Sequence, residues 1–474
     1  MLFRLLYEDQ LAAASYLIGC QRTGDAILID PLRDVDRACD AARRENLRIR
    51  YVAETHIHAD FLSGAREFVV HHGAQAILSG EGGADWSYRW PEIDRQRIVR
   101  HGETIEVGGI VLEVMHTPGH TPEHVSYLVT DRGGGATEPM GLLSGDFVFV
   151  GDLGRPDLLE TAAGETGAAE PAAALLHASA VRFLDLPDHL QVWPGHGAGS
   201  ACGKALGAVP QSTVGYERRT NAALRSVGDA AIFTRGMLEG QPDPPLYFAR
   251  MKRDNRNGPQ VLAALPEPEK VTTAGEIARV TSREDVVIVD TRPFAEFRTG
   301  HLPGSISAPF TRSFTTVIGS FLQPRDEIVL IAESDACAAA VRCCVRIGLD
   351  RVAASITPEA LSRAFAEGAP RATMEEIDPD EAARRLAGGA ARVLDVRGRS
   401  EFAGGHIAGA QNIPHTRLAA HLDDISSDHP LVVQCLGGGR SAAAASLLAR
   451  RGFRVANLAG GITAWQRSGK PVEA

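Results

Sequence analysis

Nothing in the 474-residue sequence approaches the run of about 18 apolar residues that a membrane-crossing helix needs, so no membrane role is expected. Positive charge is also short. Forty-nine Lys and Arg stand against 59 Asp and Glu, a net charge of −10, whereas a nucleic-acid partner calls for a basic surface to meet its phosphates. Cysteine is scarce: the seven are an odd number, thinly spread and without framework spacing. That excludes a disulfide-built secreted domain and makes any special cysteine reactive rather than structural. Met1-Leu2-Phe3-Arg4-Leu5-Leu6-Tyr7-Glu8-Asp9 meets two acids before an apolar core of signal-peptide length accumulates. The expectation is a cytoplasmic protein with reduced thiols. Its 44% hydrophobic and 23% charged residues are too apolar for a disordered chain. At roughly 100–200 residues per domain, the length holds two to four domains.

Two proline-rich polar stretches look like connectors, Gln241 to Pro268 and Gly368 to Asp380. They imply domains over 1–255, 268–368 and 374–474. The last two repeat each other at one constant offset: Asp290-Thr291-Arg292 and Asp395-Val396-Arg397, Glu296-Phe297 and Glu401-Phe402, Gly300-His301 and Gly405-His406. In each copy buried-strand runs alternate with helical stretches, which predicts a small parallel α/β domain present twice. The first segment instead carries short strand-like runs that end in loops bearing His or Asp, where a rigid scaffold presents chemistry.

Those loops contain Thr55-His56-Ile57-His58-Ala59-Asp60-Phe61, His116-Thr117-Pro118-Gly119-His120, Ser144-Gly145-Asp146 and Pro194-Gly195-His196-Gly197. A lone loop histidine is more often hydrogen-bonded structure than a ligand, but four such loops in series point to a metal. The pattern resembles the metallo-β-lactamase superfamily, which implies an αββα sandwich with the metal at its edge. In that family the first motif reads HxHxDH, and its last His serves a second metal; here Phe61 stands there. What the resemblance leaves is His56, His120 and Asp146, two imidazoles and a carboxylate suited to one non-haem Fe(II) per chain. Zinc or another divalent metal would also bind these ligands. Together with Gly154-Arg155-Pro156-Asp157 and the run Pro194 to Lys204, the motifs are most similar to the persulfide dioxygenases and their rhodanese fusions. His58, Asp60 and His196 would then orient the ligands by hydrogen bonds or stand as remnants of the lost site. Cys202, six residues after His196, would lie near the metal pocket and carry or accept sulfur there; a small loop residue is the plain alternative. Cys20 reads as a buried strand residue. Arg155, Arg250 and Lys252 are candidates for a substrate carboxylate or phosphate, with a solvated basic helix as the alternative for the last two.

In the third segment Gln434-Cys435-Leu436-Gly437-Gly438-Gly439-Arg440-Ser441 lies between a buried strand and a helix. Three glycines allow backbone N–H groups to turn inward, and with the helix N-terminus they form an anion nest. Leu436, Gly437, Gly438 and Gly439 would cradle a persulfide on Cys435, with Arg440 adding fixed positive charge. The loop and its flanking motifs look like a rhodanese domain, which implies that Cys435 carries sulfane sulfur. A phosphatase-like Cys-x₅-Arg reading fails because only four residues separate Cys435 from Arg440. The middle copy keeps the frame, but an ungapped match puts Ile331 at the position of Cys435, followed by Ala332-Glu333-Ser334-Asp335. It reads as catalytically silent, with Cys337, Cys343 and Cys344 as packing residues of its next helix.

The expected architecture is therefore α/β multidomain: a metallo-β-lactamase sandwich followed by two rhodanese-like domains. The expected reactants are a small-molecule thiol persulfide, O₂, sulfite and thiosulfate; a homo-oligomer stays open. Two rivals carry different tests. A glyoxalase-II-like thioesterase would hold two metals, and a persulfide sensor or sulfur-delivery adaptor would show a partner protein and negligible turnover.

Overall fold

A computed structural model describes residues 1–161, 166–204, 206–283 and 285–473. The chain divides into two compact units, Met1–Ala264 and Leu265–Ala474. Among the described residues no helix is long and apolar enough to cross a membrane.

The first unit is an αββα sandwich. Its first sheet runs β1 (Leu2–Glu8), β2 (Ala13–Cys20), β3 (Asp25–Ile29), β4 (Arg48–Ala53), β5 (Gln75–Ser79) and β6 (Gln96–Val99), in that order. The second runs β7 (Thr104–Val107), β8 (Ile110–His116), β9 (Val125–Asp131), β10 (Gly141–Gly145), β11 (Gln191–Pro194) and β12 (Ser212–Thr213), also in sequence order. Alternation along the strands builds the layers. In β2, Tyr16, Ile18 and Cys20 enter the core between the sheets, while Leu17 faces the outer helices Asp36–Arg44 and Ala65–His72. On the far side Leu142 and Val192 pack with Leu176 and Phe183 of helix Ala169–Leu184. β8 and β10 are each antiparallel to β9, and β10 is parallel to β11. The loops after β8, β10 and β11 therefore leave one edge of the second sheet together.

Part of the expected connector after Gln241 belongs to this unit. Tyr247–Asn257 is a helix with Phe248 and Met251 buried. Beyond it the chain is tied back: Arg66 Nη1 donates to the Pro259 carbonyl at 2.7 Å and Arg33 Nη2 to that of Gln260 at 2.6 Å. The segment's prolines and polar residues mark turns at the two ends of a helix, and the helix itself is amphipathic.

The second unit holds two five-stranded parallel sheets. In one, β13 (Glu269–Val271), β14 (Val286–Asp290), β15 (Ile306–Ser307), β16 (Glu327–Ile331) and β17 (Val352–Ile356) are ordered β13-β17-β16-β14-β15. In the other, β18 (Glu375–Ile377), β19 (Arg392–Asp395), β20 (Gln411–Asn412), β21 (Leu431–Gln434) and β22 (Val455–Leu458) repeat that topology as β18-β22-β21-β19-β20. Both central strands, β16 and β21, are buried along their whole length, as parallel strands covered on two faces require. The repeats meet through helix Gly439–Arg450. Ser446 Oγ accepts from the Ser307 amide at 2.9 Å, and Arg450 donates to the carbonyls of Gly304 and Val286 at 2.7 and 2.9 Å.

Candidate metal centre and sulfur-transfer loop

The loops after β4, β8 and β10 bring together His56, His120 and Asp146, whose ligand atoms all lie within 4.8 Å of one another. Asp146 Oδ2 is 3.9 Å from His56 Nε2 and 3.6 Å from His120 Nε2. Each imidazole is aimed by its other nitrogen. His56 Nδ1 is 2.9 Å from Thr55 Oγ1, which donates to Asp30 Oδ2 at 2.8 Å. His120 Nδ1 donates to the Arg155 carbonyl at 3.1 Å. Burial, then the neighbouring histidines, hold both well below the ordinary imidazole pKa, which keeps the ring nitrogens free to ligate. Neither oxygen of the buried Asp146 carboxylate has an N–H or O–H hydrogen-bond donor among the described residues. Burial raises its pKa to about 6. Carboxylate oxygens with no N–H or O–H donor, facing two oriented imidazoles, are a donor set that fits a divalent metal.

The backbone of this site is close-packed. A Cβ on Gly154 would stand 1.8 Å from the Asp146 carbonyl oxygen. The Asp146 amide donates to His124 Nε2 at 3.0 Å, which places the His124 proton on Nδ1, 2.8 Å from Thr117 Oγ1. Burial depresses His124 to about 3, so it remains a neutral strut.

A second buried group, Asp60, His196 and Cys202, lies beside the first. His196 Nε2 is 3.3 Å from Asp60 Oδ2 and 3.5 Å from Asp146 Oδ1, while its Nδ1 donates to the Ala12 carbonyl at 3.1 Å. Burial, then Asp146 and Asp60, raise the Cys202 thiol well above its ordinary pKa, so it stands protonated against the Asp146 carboxylate. His58 joins a third group with Asp30 and Glu54. Burial opposes charge on His58, but Asp30 and Glu54, each 3.1 Å from Nε2, outweigh it and hold it protonated. Phe61 stacks on His58 at 4.4 Å between ring centroids and is itself buried.

Arg155 was a candidate for the substrate anion. Its side chain is wholly buried, doubly paired with Asp157 at 3.0 and 2.7 Å and donating to the Ala201 carbonyl at 3.0 Å. Its charge is spent holding the loop before Cys202, where a substrate anion would find it already engaged. Lys252 departs from a solvated helix face: it is buried, with Nζ 4.3 Å from the Trp86 ring centroid, and its charge helps depress His120. Arg250 is half-buried one turn-edge away. The sequence reading missed Asn255, whose side chain accepts from the Ser63 amide and donates to the carbonyls of His58 and Phe61, clamping the first metal loop. Buried Glu123 likewise accepts from the Ile57 amide at 2.7 Å.

In the second unit Cys435 directly follows the central strand β21, at the mouth of a parallel sheet. Its sulfur accepts from the Gly438 amide at 3.1 Å and from Ser441 Oγ at 3.4 Å. Gly438, at φ 98°, turns the chain into helix Gly439–Arg450, a conformation costly for other residues. The loop is pinned from behind, since Cys435 and Leu436 carbonyls accept from the amides of Ile462 and Thr463. Arg440 forms a two-pronged pair with Glu401 at 2.6 and 2.7 Å and also reaches the Cys435 sulfur. Glu401 was read in the sequence only as part of the repeat frame, and the nearby His415 was not singled out. Burial, then Arg440, depresses His415 to about 4. In the first repeat helix Ser334–Arg346 begins almost directly after β16, leaving no glycine loop and no cysteine at its head. Cys343 and Cys344 are buried in that helix, and Cys337 is half-buried.

Residues 9–196 match the metallo-beta-lactamase superfamily, and residues 273–354 and 378–468 match the rhodanese-like domain. The persulfide dioxygenase ETHE1, mitochondrial, of Bos taurus is 28% identical over 202 residues, 41% of this chain and 68% of that protein. A hydroxyacylglutathione hydrolase of a Polaromonas strain is 33% identical over 183 residues, 38% of this chain and 61% of that protein. A crystal structure of a metallo-beta-lactamase from Staphylococcus aureus aligns with a TM-score of 0.68 and 40% identity, covering 76% of this chain and 99% of its own.

Proposed function

This chain belongs to the metallo-beta-lactamase superfamily and carries two rhodanese-like domains, and we propose that it is a persulfide dioxygenase and sulfurtransferase. The metal domain spans 1–255, a silent rhodanese-like domain 268–368 and an active one 374–474. The reading rests above all on the trio His56, His120 and Asp146 with Phe61 in place of a second-metal ligand, and the likeness to persulfide dioxygenases supports it. In the overall reaction a thiol persulfide, O₂ and water give the thiol, sulfite and two protons. His56, His120 and Asp146 would hold one Fe(II), which when bound would supply the O₂-activating redox chemistry.

The chain's own residues prepare that reaction. Thr55 and the Arg155 carbonyl fix the two imidazoles. Asp60, His58 and His196 set the polarity of the pocket wall, and Cys202 offers a thiol beside the ligands to receive or deliver sulfur. Lys252, helped by Arg250, attracts the anionic end of the thiol, while Arg155 acts by holding the Cys202 loop. At the second site the Cys435 thiolate attacks the outer sulfur of a second thiol persulfide, forming the Cys435 persulfide and releasing the thiol. Arg440 and the amides of the Leu436–Gly439 stretch hold its negative charge. Attack by sulfite on the outer sulfur then releases thiosulfate and restores the thiolate; the reverse reaction loads the cysteine.

The test is oxygen uptake by Fe(II)-loaded protein on addition of a small-molecule thiol persulfide. Uptake with sulfite or thiosulfate appearing is expected. No uptake across several thiol persulfides at confirmed single-iron loading would refute it. The second reading, thioester hydrolysis, draws on the hydroxyacylglutathione hydrolase relative; it requires two metals per chain and thioester turnover with zinc.

A further inference from the structure

The seam inside the second unit contains a cavity of about 710 Å³ between the two repeats, a volume typical of small-molecule sites. Four guanidiniums border it: Arg325 and Arg351 from the silent repeat, Arg450 and Arg451 from the end of helix Gly439–Arg450. Only two carboxylates, Asp285 and Asp326, stand among the lining groups. Arg351 is already paired with Glu327 at 3.1 Å, and Arg450 is committed to backbone carbonyls. Arg325 and Arg451 are exposed and have no ion pair among the described residues. Burial, and then Arg451, lower the Arg450 guanidinium below its ordinary pKa, with Asp326 opposing them. In a chain of net charge −10 such a cluster runs against the average composition. Between the arginines the wall is apolar, formed by Val287, Ile306, Phe321 and Leu447.

We infer that this seam binds a small organic molecule carrying phosphate groups. Arg325 and Arg451 would grip the phosphates through paired donors, and the apolar wall would take the uncharged part. The site is distinct from the sulfur-transfer loop. Leu447 and Arg450 lie toward one end of a helix whose other end cradles Cys435, about 12 and 16 Å along the axis from Gly439 at 1.5 Å per residue. The silent repeat thereby has a use that needs no cysteine: it supplies most of the wall of a binding site.

The experiment is calorimetric titration of the full chain with ADP and with inorganic pyrophosphate at physiological salt. Saturable binding of one ADP per chain is expected, weakened at least tenfold in an Arg325→Glu/Arg451→Glu variant whose melting temperature is unchanged. ADP affinity should be the same with and without excess thiosulfate, because the Cys435 loop is a separate site. The absence of saturable binding by either probe, undiminished binding in the charge-reversed variant, or displacement by thiosulfate would each overturn the inference. Milder Arg325→Gln and Arg451→Gln variants give the same decision should the reversal perturb folding.

Discussion

The two rhodanese-like repeats are each other's control. In both, an arginine two residues after the strand pairs with the strand's last aspartate: Arg292 with Asp290 at 2.5 Å, Arg397 with Asp395 at 2.6 Å. In both, that arginine also donates to a glycine carbonyl, of Gly300 and of Gly405. In both, a phenylalanine stacks on a histidine, Phe297 on His301 and Phe402 on His406, at 3.9 and 3.8 Å. A frame kept intact where no cysteine heads the loop is a frame that serves folding. The proposed sulfur transfer draws on what differs: Cys435, the glycine cradle, Arg440, and His415 where the first copy has Phe310, each with its amide on the matching carbonyl, of Val396 and Thr291. Glu296 shows the same division, since its counterpart Glu401 is occupied by Arg440 while Glu296 is exposed without one.

The comparison would break first at Cys435. Cys435→Ser should lower thiosulfate sulfur transfer at least a hundredfold, because the nucleophile itself is removed; assay of thiosulfate consumption checks this, and residual transfer through Cys337 of the silent copy would undo the division. Next in size is the frame. Asp290→Asn and Asp395→Asn each leave a buried arginine uncompensated and should cost about 3–5 kcal/mol, similarly in both repeats, as read by urea unfolding of the full chain. A much larger loss of transfer than of stability in Asp395→Asn would give the frame a chemical role. Arg440→Lys keeps the charge but loses the two-pronged hold on Glu401, so transfer should fall about tenfold with little change in melting temperature. The smallest effect belongs to His415. With its pKa near 4 it loses its proton as pH rises through about 4 and is neutral from pH 5 to 8. His415→Phe should therefore leave the shape of the transfer-rate profile over that range unchanged; loss of an inflection near neutrality would show a titrating His415.

The sequence exposed the metal loops and the repeat because their residues sit at strand ends in fixed local spacing. Partnerships across long separations were not legible. Glu401 and Arg440 are far apart in the chain, and only parallel strands β19 and β21 lying side by side bring their loops together. Arg155 was a substrate candidate because its Gly154-Arg155-Pro156-Asp157 motif shows a charge but not that the Asp157 carboxylate and Ala201 carbonyl occupy it. Helix Tyr247–Asn257 read as a solvated basic helix because its charges are conspicuous, although Tyr247, Phe248 and Met251 already carried the apolar stripe that buries it. His58 shares a motif with His56, yet alternation along the loop delivers it to Asp30 and Glu54 instead.

Two sites with separate duties make one decisive experiment possible: oxygen uptake and product analysis on the Fe(II)-loaded Cys435→Ser variant supplied with a thiol persulfide. The two-site scheme predicts undiminished uptake with sulfite accumulating in place of thiosulfate, and loss of that uptake when His120→Ala is added. Loss of oxygen uptake in Cys435→Ser alone, with iron still bound, would contradict it.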